Sequence, residues 1–448
     1  MKKKLFTLLF CSVLALTASA EGYQVNSLSA RQNGMGHVGT AMHLGAESQF
    51  FNPAGLGFMD KKLDISGSFT AIISKCYAKV DGTEYTTNSP ASTPINAMLA
   101  FSVYDFLKFG VAFYTPYGSN INWGESWPGA PLNQSVKLSV YTVQPTVAWR
   151  PLKGLSVGVG LTINWGSVNL NKALIMGSSV DQALIAAGLP AMFGNNALAS
   201  VNLTGNASPR VGVNVGIMWD INDKWTVGFD FRSRVDMRVK AGTANLSTAP
   251  SFEQLAALAA KYPQFAAIGL LNKLDKASFA AQMPCAAVYR FGVAYRPIKP
   301  LIVSFDAQLT GWNAYKALDI TFADEIAKNF NQHIEKNYKN SWLFSLGAEY
   351  AVSNRFDVRC GLIVDTTPCN KDYYNPETPG MTKIEPSVGL TFRPISCLSI
   401  NAAFLYVHGL GAKDRACPYQ DLVLGERTFR ADYRLRAFCP SIGIRFEL

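Results

Sequence analysis

Residues 22–58 read GYQVNSLSARQNGMGHVGTAMHLGAESQFFNPAGLGF, and this stretch sets the interpretation of the rest of the chain. It is rich in Gly, Ser, Asn and Gln, and its glycines and its proline would interrupt any long helix. From Leu63 to Leu448 the chain instead shows a succession of amphipathic strand patterns. A compact polar segment in front of a long closed sheet predicts a plug, or hatch, inside a β-barrel.

Apolar and polar residues alternate along the second part of the chain, as they do in strands whose two faces meet different surroundings. We count about fourteen such segments, and bacterial membrane barrels have an even number of strands. In the segment 225–240 the polar positions become charged. Charges at alternate positions cannot face lipid, so we expect them to face a polar lumen or to rise above the membrane. In the last segment the apolar parity changes, which predicts a bulge near Cys439 and Pro440.

The connections between these segments alternate between short and long without exception. Short turns on one side and long loops on the other are typical of a transmembrane barrel. Two long loops, 171–200 and 247–282, contain apolar residues at helical spacing. These helices either cap the barrel or form an external apolar groove. The predicted fold is therefore all-β: a 14-stranded antiparallel transmembrane β-barrel plugged by an N-terminal hatch, with short helices in the outer loops.

The first twenty residues predict export. Lys2, Lys3 and Lys4 precede an apolar run, and Ala18-Ser19-Ala20 forms an A-x-A cleavage site. We therefore divide the chain into a signal peptide (1–20), a hatch (21–62) and a barrel (63–448). After cleavage near Ala20, the protein is expected in the outer membrane of a Gram-negative cell.

Composition and motifs exclude several classes of function. The net charge of +10 is spread along the 448 residues and does not form the basic tract of a nucleic-acid-binding protein. The G-x-G-x-x-G pattern at Gly34–Gly39 lacks the preceding strand of a dinucleotide site, so we interpret its glycines as tight turns of the hatch. No C-x-x-C or H-E-x-x-H motif predicts a metal. We expect no cofactor and no enzymatic activity. Among the cysteines, Cys360 and Cys369 are the one pair that we would test for a disulfide bond.

Several short motifs then point to a family. They are Gly22-Tyr23-Gln24, the glycines of 34–39, Asn52-Pro53-Ala54-Gly55-Leu56, Gly311-Trp312-Asn313-Ala314-Tyr315, 375–379 and 386–390. On these residues the chain resembles the FadL-type outer-membrane transporters of long-chain fatty acids and other hydrophobic compounds (OMPP1/FadL/TodX).

The resemblance implies a route for a ligand. The ligand would dock in an external groove between 171–200 and 247–282, and then reach an interior site beside Gly22, Tyr23 and Gln24. It would leave sideways through a break in the third strand, for which Gly110 and Pro116 are the candidate causes. The hatch motif Asn52, Pro53, Ala54 and Gly55 would take part in gating.

The lumen residues that would hold a ligand's carboxylate are predicted from strand parity alone. Arg232, Arg234 and Arg238 are the candidates, and salt bridges of these arginines with Asp230 and Asp236 are the alternative interpretation. The implied partners are a long-chain fatty acid or another hydrophobic ligand, outer-membrane lipid and the barrel-assembly machinery, with the protein as a monomer. An aromatic-hydrocarbon transporter, a non-catalytic adhesin or structural barrel, and an outer-membrane enzyme remain as alternatives.

Overall fold

The computed structural model describes residues 22–259 and 261–448, so the predicted signal peptide and its cleavage site lie outside the described residues. Twenty-one strands are present among the described residues. They are β1 (Leu63–Thr70), β2 (Ile73–Val80), β3 (Thr83–Thr86), β4 (Ile95–Tyr104), β5 (Leu107–Asn122), β6 (Ser135–Leu152), β7 (Leu155–Met176), β8 (Ala197–Asp220), β9 (Trp225–Arg232), β10 (Val235–Thr248), β11 (Ser278–Cys285), β12 (Val288–Ile298), β13 (Leu301–Thr310), β14 (Ala317–Phe322), β15 (Gln332–Glu335), β16 (Ser341–Ala351), β17 (Phe356–Asp365), β18 (Lys383–Ile395), β19 (Leu398–Gly409), β20 (Ala412–Asp421) and β21 (Gly425–Glu447).

Helices in the described residues are short. The α-helices are Ala30–Asn33, Ser48–Phe51, Gly177–Ala186 and Phe252–Ala259. The 3₁₀ helices are Gly45–Glu47, Pro53–Phe58, Pro263–Leu274, Trp312–Ala314 and Ala327–Phe330. Within the described part of the chain, none of the helices has the length and apolarity needed to cross a membrane.

The sheet closes into a ring of fourteen antiparallel strands, which confirms the predicted barrel. Each neighbour along the ring β1-β4-β5-β6-β7-β8-β9-β12-β13-β16-β17-β18-β19-β21 is hydrogen-bonded to the next. The last strand returns to the first, with Asp64 opposite Glu447 and Thr70 opposite Ser441. The seven other strands continue or extend the sheet on the side of the long loops.

Two surfaces with opposite character follow from the alternation of side chains. On β21, Ile442 and Ile444 point outward and are exposed, whereas Ser441 on the inner face is buried. The interior of the ring holds buried polar side chains such as Gln144 and Asp306. The outward apolar band, called the belt below, is the surface that lipid covers, since charged side chains at mid-depth cost about 2–4 kcal/mol each.

The predicted bulge near Cys439 and Pro440 is wrong. Strand β21 pairs with β19 without a register shift from Arg436 to Phe446. Tyr433 and Ala437 face the interior, while Ile442 and Ile444 face lipid. The strand keeps its orientation, but its apolar side chains switch from one face to the other. Within the membrane they point outward to lipid, and above the membrane they point inward to the core of the loop region.

Candidate functional site

The hatch, residues 22–62, fills the ring at the level of the lower strands. From Ser27 to Met59 every side chain is buried except the partly buried Arg31 and His43. Ser29 begins the first helix by accepting a hydrogen bond from the backbone N–H of Gln32 at 3.2 Å. The segment therefore packs as a small interior domain whose core is the barrel lumen.

Ion pairs join the hatch to the wall. Arg31 Nη2 lies 2.9 Å from Glu349 Oε1, and Arg359 contacts the same carboxylate. Asp64 accepts a hydrogen bond from the backbone N–H of Ala46 at 3.0 Å and pairs with Arg445. These carboxylates hold the hatch at two separate places on the ring.

A third wall carboxylate, Asp306 on β13, holds a hatch turn. Its Oδ2 accepts hydrogen bonds from the backbone N–H groups of Gly39 at 2.8 Å and Thr40 at 2.9 Å, and from the Thr40 hydroxyl at 2.7 Å. All three residues are inside the barrel, where an unpaired polar group costs about 1–3 kcal/mol. Asp306 is thus a principal anchor of the hatch that sequence reasoning missed.

The motif Asn52-Pro53-Ala54-Gly55 is a packing element of the hatch. Asn52 begins the 3₁₀ helix at Pro53 by accepting a hydrogen bond from the backbone N–H of Ala54 at 3.1 Å. Its Nδ2 donates to the carbonyl oxygens of Thr40 at 2.7 Å and Ile217 at 3.0 Å. All four motif residues are buried, and the structure places them between hatch and wall, away from the lining of the two cavities described below.

Glycines on the inner face of the wall make room for this packing. A Cβ at Gly216 would overlap Asn52 Oδ1, and a Cβ at Gly158 would overlap the backbone of Pro53. A Cβ at Gly361 would overlap the backbone of Gly36, which itself has a φ of +65°. In the sequence, this space for the hatch is marked by glycines at inward positions of long strands. Sequence reasoning used these glycines only as the polar half of the strand alternation.

The glycine-rich turn 34–39 encloses His37. The imidazole Nε2 lies 2.6 Å from Asn33 Oδ1. Burial, with a further contribution from the charge of Arg290, lowers the pKa of His37 to about 3. The ring is therefore neutral at neutral pH and serves as a hydrogen-bonding part of the hatch.

The N-terminal residues of the hatch dock into an aromatic pocket above it. The Tyr23 ring is buried, and its hydroxyl donates a hydrogen bond to the carbonyl oxygen of Pro284. The centroids of the Tyr23 and Trp312 rings lie 4.8 Å apart. Tyr117 and Tyr315 complete the pocket. Burial raises the pKa of Tyr23, so its hydroxyl stays protonated and able to donate.

The third strand of the ring, β5, has an irregularity where this segment touches it. The β5–β6 register shifts between Tyr114 and Tyr117. The Pro116 carbonyl there accepts a hydrogen bond from Val25 N at 2.8 Å, and Gly118 N donates to the Tyr23 carbonyl at 2.9 Å. The register shift includes Pro116, and a role of Pro116 in the lateral exit of a ligand stays a prediction.

Gly110, the other predicted cause of a break, lies in the regular ladder between Ala100 and Thr146. A Cβ at Gly110 would lie 2.6 Å from the Gln49 side chain. The prediction that Gly110 breaks the strand is therefore wrong, and this glycine instead gives space to the hatch.

Two cavities lie above the hatch. The first, of about 50 Å³, has an almost entirely apolar lining. Its walls include Leu138, Val168, Leu203, Met237, Phe279 and Ile320. The second, of about 610 Å³, contains the hatch residues 22 and 24–27 in its wall. The two cavities share Leu138, Ser139 and Val140 on β6, so both border the same stretch of one strand.

The second cavity reaches an opening in the wall between β4 and β5. The last opposed pair of these strands is Asn96 and Tyr114. Above it Ile95 N donates a hydrogen bond to Thr115 Oγ1 at 3.2 Å, and the contact that follows is the hydrogen bond from Asn120 Nδ2 to the Pro90 carbonyl at 3.0 Å. The residues 91–94 and 117–119, which lie between these two contacts, line the cavity. We call this opening the window.

The three candidate arginines separate at the break between β9 and β10. Arg232 is buried, donates to the Phe50 carbonyl at 2.7 Å, and stands 4.5 Å from the centroid of the Phe50 ring. Beyond the break Val235 and Met237 face inward, and Arg234 and Arg238 are exposed. The prediction of Arg234 and Arg238 as lumen residues is therefore wrong. Arg234 pairs with Asp236 at 2.7 Å.

The loop helices cap the barrel. Leu184 of the helix Gly177–Ala186 and Leu255 of the helix Phe252–Ala259 are buried in the large apolar cluster above the hatch. Phe265, Leu271 and Leu274 of the following 3₁₀ helix join the same cluster. The sequence allowed two interpretations of these helices, a cap on the barrel and an external apolar groove. The burial of these side chains agrees with a cap.

The remaining sequence candidates concern cysteine and metal chemistry. Cys360 is exposed on β17, Cys369 is partly buried in the next loop, and both are free thiols. In residues 22–259 and 261–448, no group of three or more His, Cys, Asp or Glu is placed to hold a metal ion.

Comparisons with known proteins agree with this architecture. A family model described as outer membrane protein transport protein (OMPP1/FadL/TodX) matches residues 11–445. A putative outer membrane protein of Neisseria meningitidis, NMB0088, is 24% identical over 430 residues, covering 91% of this chain and 90% of its own.

Solved structures show the same fold. A FadL homologue of Pseudomonas aeruginosa superposes with a TM-score of 0.77 at 19% identity, covering 95% of this chain and 99% of its own. The toluene transporter TodX of P. putida superposes with a TM-score of 0.66 at 13% identity, covering 93% of this chain and 97% of its own.

Proposed function

Because the chain belongs to the family of outer membrane protein transport proteins (OMPP1/FadL/TodX), we propose that it takes up long-chain fatty acids by hatch-gated passive diffusion. The protein is located in the outer membrane and belongs to a group of hydrophobic-compound transporters. We further propose that it acts as a monomer, inserted by the barrel-assembly machinery, with lateral exit of the ligand into the membrane.

The observation that carries the proposal is the lining that the two cavities share at Leu138–Val140. In the proposed route a ligand passes from the apolar cavity into the larger one at this strand and does not cross the polar hatch below. The larger cavity then ends at the window between β4 and β5. An apolar ligand that leaves there enters lipid directly and avoids the desolvation problem of a polar lumen.

A fatty acid matches the chemical change along this route. The first cavity offers apolar surface for a hydrocarbon chain. The second is mixed in polarity, and Lys137 and Lys383 line it. Lys383 Nζ lies 2.8 Å from Asp365 Oδ2 and 3.3 Å from Glu385 Oε1, whereas Lys137 is exposed. Lys137 is therefore the cation we assign to meet a carboxylate near the window.

The N-terminal segment is the proposed gate. Gln24 and Val25 line the larger cavity, and Tyr23 fixes them to the aromatic pocket. Backbone hydrogen bonds of Tyr23 and Val25 with β5 hold this segment at the window. Movement of these few residues can open the route while Asp306 and Glu349 keep the lower hatch in place.

An aromatic hydrocarbon is the second candidate ligand. The specific observation in its favour is the cluster of rings around Tyr23, with Trp312, Tyr117 and Tyr315 within 4.8–6.1 Å between centroids. Stacking and edge contacts in such a cluster suit a small aromatic molecule. One of the similar solved structures is a toluene transporter.

Uptake measurements test the proposal. In a host that lacks its own fatty-acid porter, we expect the intact protein to support uptake of labelled oleate. We expect removal of Gly22–Gln24 to reduce this uptake at least tenfold, because the proposed interior ligand site beside these residues and part of the cavity wall are lost. Asn52→Ala removes one hydrogen bond from the hatch to the wall, at Ile217, and two within the hatch, and we expect it to reduce uptake as well.

The variants must assemble as well as the intact protein, which heat-dependent gel mobility of the folded barrel reports. Labelled toluene is measured in parallel. Toluene uptake without oleate uptake would replace the fatty acid by the aromatic candidate. A folded intact protein that takes up neither compound would contradict a transport function and favour the adhesin or structural alternative.

The window gives a separate prediction. Thr93 is exposed at the window and lines the cavity. We expect Thr93→Trp to reduce oleate uptake at least fivefold, because an indole fills part of the opening. Thr93→Ser leaves the opening free and is the matched control. Equal uptake by the tryptophan variant and the control would show that the ligand leaves by another path.

A further inference from the structure

A row of basic side chains crosses three neighbouring strands on the outer face of the barrel. The register of β2, β21 and β19 places Lys75 opposite Arg436, and Arg436 opposite His408. All three residues are exposed. We call Lys75, Arg436 and His408 the basic row.

The basic row lies directly above the apolar belt. Two residues lower on each strand, at the next outward position, the same register places Ile73 opposite Phe438 and Phe438 opposite Tyr406. Ile73 and Phe438 are exposed, and the Tyr406 and Phe438 rings lie 5.2 Å apart between centroids. Aromatic side chains mark the edges of the hydrocarbon layer, so the basic row stands at the depth of the lipid headgroups.

The charges of the row are available to a ligand. Neither Lys75 nor Arg436 forms an ion pair with another described residue. The neighbouring arginines higher on β21 do: Arg430 pairs with Asp414 at 2.9 Å, and Arg434 pairs with Glu84. Acidic partners therefore accompany the upper arginines, and the level nearest the membrane carries only basic groups.

The spacing of the row suits a phosphate group. Adjacent strands lie about 4.8 Å apart, so the three side chains span about 10 Å. Long Lys and Arg side chains can lay their apolar stems on the belt and keep their charged ends at its rim. Arginine in addition offers paired N–H donors that match phosphate oxygens.

We propose that the basic row binds the phosphate of a lipid of the outer leaflet. The lipid's acyl chains would lie on the belt at Ile73 and Phe438, and its phosphate would accept hydrogen bonds from Lys75, Arg436 and His408. A lipid is the occupant because the charged and apolar surfaces are continuous, and both are presented outward at membrane depth. Lys75, Arg436 and His408 do not belong to the lining of either cavity.

The opposite wall provides an internal comparison. Strand β10, continuing β9, lies about half the ring away, and its outward residues include Arg238 and Lys240. Arg238 is opposite the uncharged Gln282 on β11. Arg238 and Lys240 lie along one strand and do not form a row across three strands. Replacing both removes the same two charges as replacing Lys75 and Arg436, so this pair is the control.

The test measures binding of diphosphoryl lipid A to the purified full barrel in a non-ionic detergent by native mass spectrometry. Each basic residue beside anionic lipid contributes a factor of about five in affinity. We therefore expect Lys75→Gln with Arg436→Gln to weaken binding roughly 25-fold. We expect Arg238→Gln with Lys240→Gln to stay within about twofold of the intact protein.

Two further probes identify the source of the phosphate. We expect the dephosphorylated lipid to bind the intact protein as weakly as diphosphoryl lipid A binds the Lys75/Arg436 variant. Equal affinity of the two lipids would overturn the proposal, as would equal losses in the two double variants. If inorganic phosphate alone displaced the lipid at comparable concentration, the row would be a free-anion site and the lipid assignment would be wrong. Gel mobility of the folded barrel checks that each variant is assembled.

Discussion

Gly216→Val is expected to unseat the hatch and convert the barrel into an open pore. A Cβ at this position would overlap Asn52 Oδ1 and come within 2.9 Å of Pro53 Cδ. Asn52 cannot turn away without cost, because its amide makes three hydrogen bonds, to Thr40, Ile217 and Ala54. We expect the seated position of the hatch to be destabilised by about 1–3 kcal/mol from overpacking and by about 1 kcal/mol for each displaced hydrogen bond.

The measurement is single-channel conductance in planar bilayers. A ring of fourteen strands is wider than the eight-stranded barrels that side chains alone can fill, so an empty ring should conduct ions. We expect the intact protein to show little conductance and the Gly216→Val variant to show large, long-lived openings. Gly67→Val on β1 is the matched control, since a Cβ there would meet only the Asn96 carbonyl at 3.5 Å. Closed channels in the Gly216 variant would contradict the tight contact between hatch and wall.

Asp306→Ala is expected to release the hatch turn at Gly39 and Thr40. The substitution removes the shared acceptor of two backbone N–H groups and one hydroxyl. Each buried donor left without a partner costs about 1–3 kcal/mol, so the hatch loses about 3 kcal/mol or more of anchoring. We expect the amides of Gly39 and Thr40 to exchange with deuterium at least a hundred times faster, while the wall strands keep their protection.

A second aspartate offers a control for this experiment. Asp324, in an outer loop, accepts hydrogen bonds from the backbone N–H groups of Ile326 at 2.9 Å and Ala327 at 3.1 Å. Asp324→Ala should change exchange only in that loop. Asp306→Asn keeps an acceptor oxygen and should restore part of the protection in the hatch. Unchanged exchange at Gly39 and Thr40 in Asp306→Ala would mean that the other anchors alone hold the turn.

Local patterns in the sequence were sufficient for the architecture. Alternation with period two depends only on neighbours along a strand, so the number of strands and the sides of the short and long connections could be read from it. The hatch was also visible, because closely spaced Gly and Pro among polar residues disfavour both a strand and a long helix. The break in β5 was visible at Pro116, since proline cannot donate to a ladder.

Which face of a strand meets which surroundings was not determined by local patterns. On β21 the apolar parity changes because lipid lies outside at Ile444 and a packed loop core lies inside at Tyr433. Strand parity places Arg234 and Arg238 in the lumen together with Arg232. At the break between β9 and β10 the inward face of the chain changes from even-numbered to odd-numbered residues, and this change leaves no mark in the alternation of the sequence. In both cases the same alternation is compatible with two orientations. The height of the membrane decides between them on β21, and the break after Arg232 decides between them on β10.

The sequence by itself determined a plugged barrel of about fourteen strands, its export and its family resemblance, since these follow from local periodicity and short motifs. The tertiary structure decided the anchoring of the hatch by Asp306, the space provided by Gly216 and Gly158, the two cavities that border β6, and the window. It also brought Lys75, Arg436 and His408 into one row from strands far apart in the chain. Each of these features depends on strand register and ring closure, which join residues that no local pattern relates to one another.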